Sequence, residues 1–274
     1  MYPPPPPRIQ VGADAVSRAY RTPNAESSSH LAPTVYGGIP ELASSVVEGF
    51  QDCGVAVITD TLGVVTGPQQ MMTPAMKRRT TRRRVAGQAV TVAGALADNL
   101  TLHAALRIAR TGHVLVISAA GSAGAQWGDL VTHAAAARGV AAVVVDGACR
   151  DVDTIEQLGF PVWATEVNPL TARKDVVGWV NAPVSCGGVY VCPGDVVVCD
   201  GDGVVVVPHD LADAVLASAL VRLERESDVR EQAKSGALPG EFSGLYDQID
   251  AAVGLEVYEG VWHPTGQDGG VGER

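Results

Sequence analysis

Long apolar runs are missing from this sequence. None approaches the ~20 residues that a membrane-crossing helix needs, so no membrane partner is expected. Positive charge is in deficit: 30 Asp and Glu against 20 Lys and Arg leave a formal charge of −10. A general nucleic-acid binder carries the opposite balance, so nucleic acid is not expected as a partner. Paired cysteines are missing too. Cys53, Cys149, Cys186, Cys192 and Cys199 form an odd set with no CxxC. That argues against a zinc or disulfide framework and for small, reduced side chains in a cytosolic protein. The amino end, Met1-Tyr2 followed by Pro3 to Pro7, has no charged start leading into an apolar stretch. No secretory signal is read there, and a cytoplasmic location is expected. Aromatics are scarce at 5%, so a core must rest on Val, Ala, Leu and Ile.

What is present suits a folded chain. Hydrophobic residues reach 46% and charged ones 18% of 274 residues, enough for one large domain and against wholesale disorder. The 31 Gly and 17 Pro predict frequent tight turns. Residues 1–38 read as a flexible proline-rich leader that buries too little to offset its ordering entropy. Residues 39–236 read as a single α/β domain and 237–274 as a carboxyl-terminal extension, partly mobile.

A helix is predicted from about Pro40 to Asp52, with Leu42, Val46, Val47 and Phe50 on one face and Gly54 at its end. Val55 to Gly63 reads as a strand or a short helix. Lys77 to Arg84 places six basic residues in eight positions. It is either a solvated loop before the strand Val85 to Val92 or an aid in gathering anionic substrates; charge runs are usually the former. From Asp98 the pattern alternates. A helix capped by Asn99 leads to a strand at His113 to Ser118, a glycine loop at Gly121 to Gly128, and a helix from Asp129 to Arg138. A strand at Val140 to Val145, a helix at Asp151 to Leu158 and a strand at Phe160 to Ala164 follow. This is β-α-β-α-β, the sign of an α/β layer with parallel pairing. Short Val-rich strands come next, separated by Pro193-Gly194 and Asp200-Gly201-Asp202-Gly203, which read as hairpin turns of an antiparallel set. Asp210 then caps a long helix to about Ser235.

The residues with chemistry lie between Gly121 and Asp153. The glycines at 121, 124 and 128 do not match GxGxxG, so a dinucleotide site is disfavoured. A small carboxylate or phosphate held by the amides near Leu130 and Val131 fits better. Arg150 and Asp151 follow a continuous valine strand, at the carboxyl end where α/β sites gather. Arg150 offers a rigid donor fork for a carboxylate. Asp151 offers a hard oxygen for Mg²⁺ or Mn²⁺, and Asp129 a second carboxylate at the other strand-to-helix junction. Singly, Asp129 and Asp151 read as helix caps and Arg150 as a structural ion pair; together, on adjacent loops, they compose an oxyacid-plus-metal site. The scattered histidines, His30, His103, His113, His133, His209 and His263, read as structural or solvated.

These segments resemble a family. Gly124-x-x-Trp127-Gly128-Asp129-Leu130, Arg138-Gly139, Val145-Asp146-Gly147-Ala148-x-Arg150-Asp151 and Leu158-Gly159-Phe160-Pro161-Val162 look like the regulator-of-ribonuclease-E-activity-A family. Pro193-Gly194-Asp195, Asp200-Gly201-Asp202-Gly203 and Val206-Val207-Pro208 resemble its later segment, so the likeness runs from about Leu42 to Gly236. That family includes class II 4-hydroxy-4-methyl-2-oxoglutarate and 4-carboxy-4-hydroxy-2-oxoadipate aldolases. The resemblance implies an α/β fold, an αββα sandwich of the swivelling β/β/α type with mixed sheets, assembled as a homotrimer or homohexamer with sites at subunit interfaces. It implies a metal-dependent lyase that releases pyruvate from a 4-hydroxy-2-oxo acid and decarboxylates oxaloacetate, using Mg²⁺ or Mn²⁺. By motif position, Arg150 binds the pyruvyl carboxylate and keto oxygen, Asp151 is the metal ligand, and Asp129 holds a metal-bound water. Gly128 and the amides of Leu130 and Val131 form the carboxylate-binding loop, and Glu226 reaches a neighbouring subunit's site. The family's acid after Arg-Asp falls on either Asp153 or Glu156. The same family holds non-catalytic proteins that bind a ribonuclease, and its scaffold also suits another oxyacid or enol substrate.

Overall fold

The valine segments bury both faces, and the layering follows from that. In the computed structural model the described residues are 33–65, 70–95, 97–119, 124–252 and 254–255. Most of the proline-rich leader, part of the glycine loop including Gly121, the end of the carboxyl-terminal extension, His30 and His263 lie outside them. The chain divides into two units, Pro6–Glu224 and, with the first five residues, Arg225–Arg274.

In the first unit, α1 (Ser44–Asp52) and α2 (Val55–Val65) precede a two-residue strand β1 (Lys77–Arg78) and the long β2 (Val85–Ala93). Then come α3 (Leu100–Ile108), β3 (Val114–Ser118), α4 (Asp129–Ala137), β4 (Ala142–Cys149), α5 (Val152–Leu158) and β5 (Val162–Val167). Five short strands follow: β6 (Trp179–Val180), β7 (Val184–Cys186), β8 (Val189–Val191), β9 (Val196–Cys199) and β10 (Val204–Val207). The helix α6 (Ala212–Lys234) starts in this unit, and α7 (Pro239–Ser243) and α8 (Leu245–Asp250) belong to the second.

β2, β3, β4 and β5 are parallel neighbours. The first half of β2 pairs antiparallel with β9, which pairs antiparallel with β10. The sheet therefore curls at β2 and lies over itself. Three cores result. Leu115, Ile117, Val143 and Val145 face α3, α4 and α5. Val114, Val116, Val144 and Trp163 face the inner side of the β7–β10 strands. Val196, Val198, Val205 and Val207 face outward onto Phe50, Ile58 and Leu62 of α1 and α2 and Val215 of α6. The order is helix, sheet, sheet, helix: the αββα sandwich. Period-two side-chain alternation puts every second valine in a different core, so these strands read as unbroken apolar runs.

Several expectations change. The helix expected from Pro40 begins at Ser44. Val55 to Gly63 resolves as helix, because Phe50 and α6 supply an apolar neighbour on that side. Asn99 occupies the cap position of α3 without a side-chain cap bond; Asp98 Oδ1 accepts the Leu100 amide at 2.9 Å instead. Pro193-Gly194 makes a tight turn, with Gly194 at φ 89°, yet joins strands of different sheets: β8 pairs β7 and β9 pairs β2. The Asp200–Gly203 turn is a true hairpin between β9 and β10. Asp210 gives α6 no side-chain cap; a short 3₁₀ turn, His209–Leu211, leads in, and buried Asp195 accepts the His209 amide at 2.9 Å. In the Lys77–Arg84 run, Arg79 donates to the Ala164 and Thr165 carbonyls and Arg84 to those of Gln51 and Asp52. Two of the six basic residues thus have structural ties, Arg79 to strand β5 and Arg84 to the end of α1.

Candidate active site

The site lies at the carboxyl ends of β3 and β4. Cys149 ends β4, and Arg150 and Asp151 occupy the turn into α5. Asp151 sits at φ 58° and ψ 31°, left-handed for a residue that is not glycine, which stores strain on the order of 1 kcal/mol. That geometry turns its carboxylate away from its own helix, to which it gives no cap bond. Asp151 Oδ2 accepts the Asp129 amide at 3.2 Å and lies 3.4 Å from Arg150 Nε. The reading of Asp151 as an ordinary helix cap fails for this reason.

Gly128 makes the arrangement sterically feasible. A Cβ there would stand 2.8 Å from Asp151 Oδ2 and 3.2 Å from both Cγ and Nε of Arg150. Its carbonyl accepts the hydroxyl and amide of Thr132 at 2.7 and 3.1 Å, which closes the first turn of α4. Trp127, 1% exposed, runs beside Cys149 as an isolated bridge and stacks on Phe160 at 5.9 Å. Its carbonyl accepts the Arg150 amide at 2.9 Å. The two loops therefore share one backbone frame.

Asp129 is the first residue of α4, and its Oδ1 accepts the Leu130 amide at 2.7 Å. Of the two amides expected to hold a carboxylate, Leu130's is engaged by Asp129 here; Val131's lies one residue further along the same turn. The Leu130 side chain is 76% exposed at the rim.

Asp151 adjoins, through the Asp129 amide and Arg150, a small cleft of about 90 Å³ whose lining it does not join. Trp127, Gly128, Asp129, Leu130, Val131 and Arg150 line it, together with Asn99 at the head of α3, His103 of α3, and Thr171 and Lys174 of the segment 168–178. Sequence reasoning did not place these four in the site. Asn99 reads from sequence as a cap and His103 as structural or solvated, and Lys174 lies in a polar stretch without periodicity. The segment is held by main-chain bonds: Ala125 donates to the Leu170 carbonyl at 2.7 Å and Arg173 to that of Ala97 at 2.7 Å. Asp98 ties it further. Burial, at 2% exposure, would raise this carboxyl, but the amides of Leu100, Asp175 and Val176, with Arg173 nearby, hold it below the ordinary carboxylate range.

The cleft lining comes from the first unit alone. Glu226 lies on α6 in the second unit. Asp153 and Glu156 are exposed on α5, outside the cleft lining. Among the described residues no three His, Cys, Asp or Glu side chains gather as a metal cage. Asp151 is about a third exposed, and both its contacts use Oδ2. A single reachable carboxylate suits Mg²⁺ or Mn²⁺, which keep waters and take substrate oxygens, and does not suit a closed zinc site. The buried thiols take no part: burial pushes Cys149 up to about 11. Among the described residues no helix is long and apolar enough to cross a membrane.

A family model described as RraA-like, Aldolase/RraA, matches residues 55–206. A relative from Halalkalibacterium halodurans, named "Putative 4-hydroxy-4-methyl-2-oxoglutarate aldolase", is 36% identical over 187 residues, 68% of this chain and 87% of its own. One of the same name from Ectopseudomonas mendocina is 34% identical over 52% of this chain and 88% of its own. Among solved structures, Streptomyces coelicolor RraAS2, titled an unusual member of the RNase ES inhibitor RraA protein family, superposes with TM-score 0.63. It is 30% identical over 70% of this chain and 98% of its own. An uncharacterized Pseudomonas syringae protein superposes with TM-score 0.66 at 27% identity, over 74% of this chain and 99% of its own.

Proposed function

The chain belongs to the RraA-like family, and from that premise we propose that it is a divalent-metal-dependent lyase. Its reaction is cleavage of a 4-hydroxy-2-oxo acid to pyruvate and a second carbonyl compound, with oxaloacetate decarboxylation through the same enolate. The observation that carries this reading is the Arg150–Asp151–Asp129 constellation across Gly128, with Asp151 in a left-handed turn that sets its carboxylate against the Asp129 amide and Arg150 and not on its own helix.

Arg150 binds the carboxylate and keto oxygen of the 2-oxo acid through its planar donor fork. Gly128 lets the substrate approach the main chain, and the amides of Val131 and Leu130 complete the anion cradle once Asp129 releases the latter. Lys174 adds a second cation to the same cleft. Asp151 would hold the metal ion, which supplies Lewis-acid stabilisation of the charge that develops on the enolate. Asp129 takes the C4 hydroxyl proton through a water. The C3–C4 bond then breaks, its electron pair enters the enolate, and protonation at C3 gives pyruvate. In oxaloacetate the same bond releases carbon dioxide. Glu226 is assigned to the site of a neighbouring subunit in a homotrimer or homohexamer.

A second reading follows from the Streptomyces relative named for RNase inhibition: a non-catalytic protein-binding regulator. One assay separates them. Arg150→Ala and Asp151→Ala should each lower pyruvate release from oxaloacetate with Mg²⁺ by about 10²–10³-fold, the scale of losing a main transition-state stabiliser, and a chelator should do the same to the parent. Full activity in either variant overturns the lyase assignment. Absence of pyruvate from every 4-hydroxy-2-oxo acid tried leaves the regulator reading.

A further inference from the structure

Lys174 reaches the cleft from a connection with no regular structure. Residues 168–178 join β5 to β6, and a lysine on such a segment has a long stem with many rotamers. Something must fix its backbone. The sequence Asp98-Asn99-Leu100-Thr101 does so with main-chain and side-chain bonds on both sides of Lys174. Before it, Arg173 donates to the Ala97 carbonyl at 2.7 Å and its own carbonyl accepts the Asn99 amide at 2.9 Å. After it, the amides of Asp175 and Val176 donate to Asp98 Oδ2 at 2.6 and 3.1 Å. Further on, the Gly178 amide donates to Thr101 Oγ1 at 2.7 Å. A Cβ at Gly178 would collide with the Ala93 carbonyl, so the segment lies flat on β2 at this point.

Asp98 and Thr101 are 2% and 1% exposed, and both spend their oxygens on the main chain of other residues. Asp98 Oδ1 also starts α3 through Leu100, and that helix brings Asn99 and His103 to the cleft. One buried carboxylate thus sets two parts of the cleft that Arg150 also lines. Ala97, at φ 56°, holds the chain in the turn that aims it. Capping alone needs one acceptor oxygen; the second oxygen takes two amides from 77 and 78 residues away.

We propose that Asp98 is a positioning residue for the lyase reaction: by clamping residues 173–176 to the start of α3 it holds Lys174 over the cleft to bind the substrate's end away from Arg150. This inference rests on the function proposed above. Loss of the clamp therefore weakens substrate binding more than turnover, and acts through Lys174.

The test is a double-mutant cycle of Asp98→Asn and Lys174→Ala, read on oxaloacetate with Mg²⁺ and by hydrogen exchange. Asp98→Asn should raise KM about tenfold with kcat changed less than threefold, because one of its oxygens stops accepting. Lys174→Ala should raise KM further, and the double variant should match Lys174→Ala within about twofold. The amides of Asp175 and Val176 should exchange faster in Asp98→Asn and not in Lys174→Ala, with β3 and β4 amides unchanged. A full tenfold KM effect of Asp98→Asn in the Lys174→Ala background, or unchanged exchange at 175 and 176, overturns the clamp. If the parent releases no pyruvate, the functional reading falls separately. Exchange together with the acetylation rate of Lys174, expected to differ between parent and Asp98→Asn, then decides the clamp, and equal rates overturn it. If Asp98→Asn does not fold, Thr101→Val, which removes only the Gly178 tie, goes through the same cycle with exchange read at 178.

Discussion

At the β9–β10 hairpin, Val196, Val198, Val205 and Val207 face one core while Val197, Cys199, Val204 and Val206 face another. At the carboxyl ends of β2, β3 and β4, buried Asp98 and Thr101 accept amides of residues 175–178, the amides of Gln126 and Arg150 donate to the Ala148 and Trp127 carbonyls, and half-buried Asp129 gives its amide to Asp151. The first region is specified by side-chain volume and alternation, which any short stretch of chain carries. The second is specified by backbone donors and acceptors brought together from the 97–101, 124–132, 149–151 and 168–178 segments. It also contains two non-glycine residues at positive φ, Ala97 and Asp151. Stability is concentrated in one region and chemistry in the other, and the second is strained where the first is relaxed.

The largest test of that division is Trp163→Ala against Asp151→Gly. Trp163 is fully buried between the sheets, and its indole donates to the Asp200 carbonyl at 3.0 Å. Its loss should lower unfolding free energy by about 3–5 kcal/mol in denaturant titration while kcat of the folded fraction stays within a few-fold. Asp151→Gly should do the reverse. Pyruvate release should vanish, yet stability should hold or rise by about 1 kcal/mol because glycine relaxes the left-handed turn. A destabilised Asp151→Gly would mean that the carboxylate is structural after all.

Gly128→Ala sharpens the contrast at one atom. The added methyl meets Asp151 Oδ2 at 2.8 Å, so the carboxylate or the loop must shift by several tenths of an ångström. A misplacement of about 1 Å costs on the order of 10²-fold in turnover, so this smaller shift should cost roughly tenfold. The same change at an exposed glycine with open space, Gly63, should leave turnover unaffected. Equal activity in Gly128→Ala and the parent would remove the steric argument for the constellation.

Legibility followed the same division. The Val-rich strands, the Asp200–Gly203 hairpin and the βαβ order could be read locally because period, length and turn chemistry are local signals. The pairing of Arg150 with Asp151 at a strand end was also local. The cleft's other wall was not. Lys174 lies 24 positions beyond Arg150, and nothing in its neighbourhood marks it. Asn99 was read as a cap because the residue type fits, while Asp98, one position earlier, does the capping. The Pro193-Gly194 turn shows the limit from the other side: a turn signal gives the bend at Gly194 but not which strands pair across it.

Two buried aspartates give the finest comparison, because each accepts backbone amides and they titrate in opposite directions. Asp98 takes three amides and has Arg173 nearby, which hold it below the ordinary value of 3.8 against the effect of burial. Its contribution to stability is therefore present above pH 3.8 and lost as pH falls below that. For Asp195, burial dominates; the amides of Cys192 and His209 and the His209 side chain lower it, Asp210 raises it, and the balance lies at about 6. Between 3.8 and about 6 the folded state holds a proton at Asp195 that the unfolded chain has released. The sign is thus reversed: this group's contribution declines as pH rises through that window, by on the order of 3 kcal/mol. Denaturant titrations at several pH values should show that decline in the parent and lose it in Asp195→Asn, whatever the variant's absolute stability. Asp98→Asn should keep the decline and lose only part of the acid-side fall. An unchanged slope in Asp195→Asn would place the titration on another group and would erase the contrast between the two carboxylates.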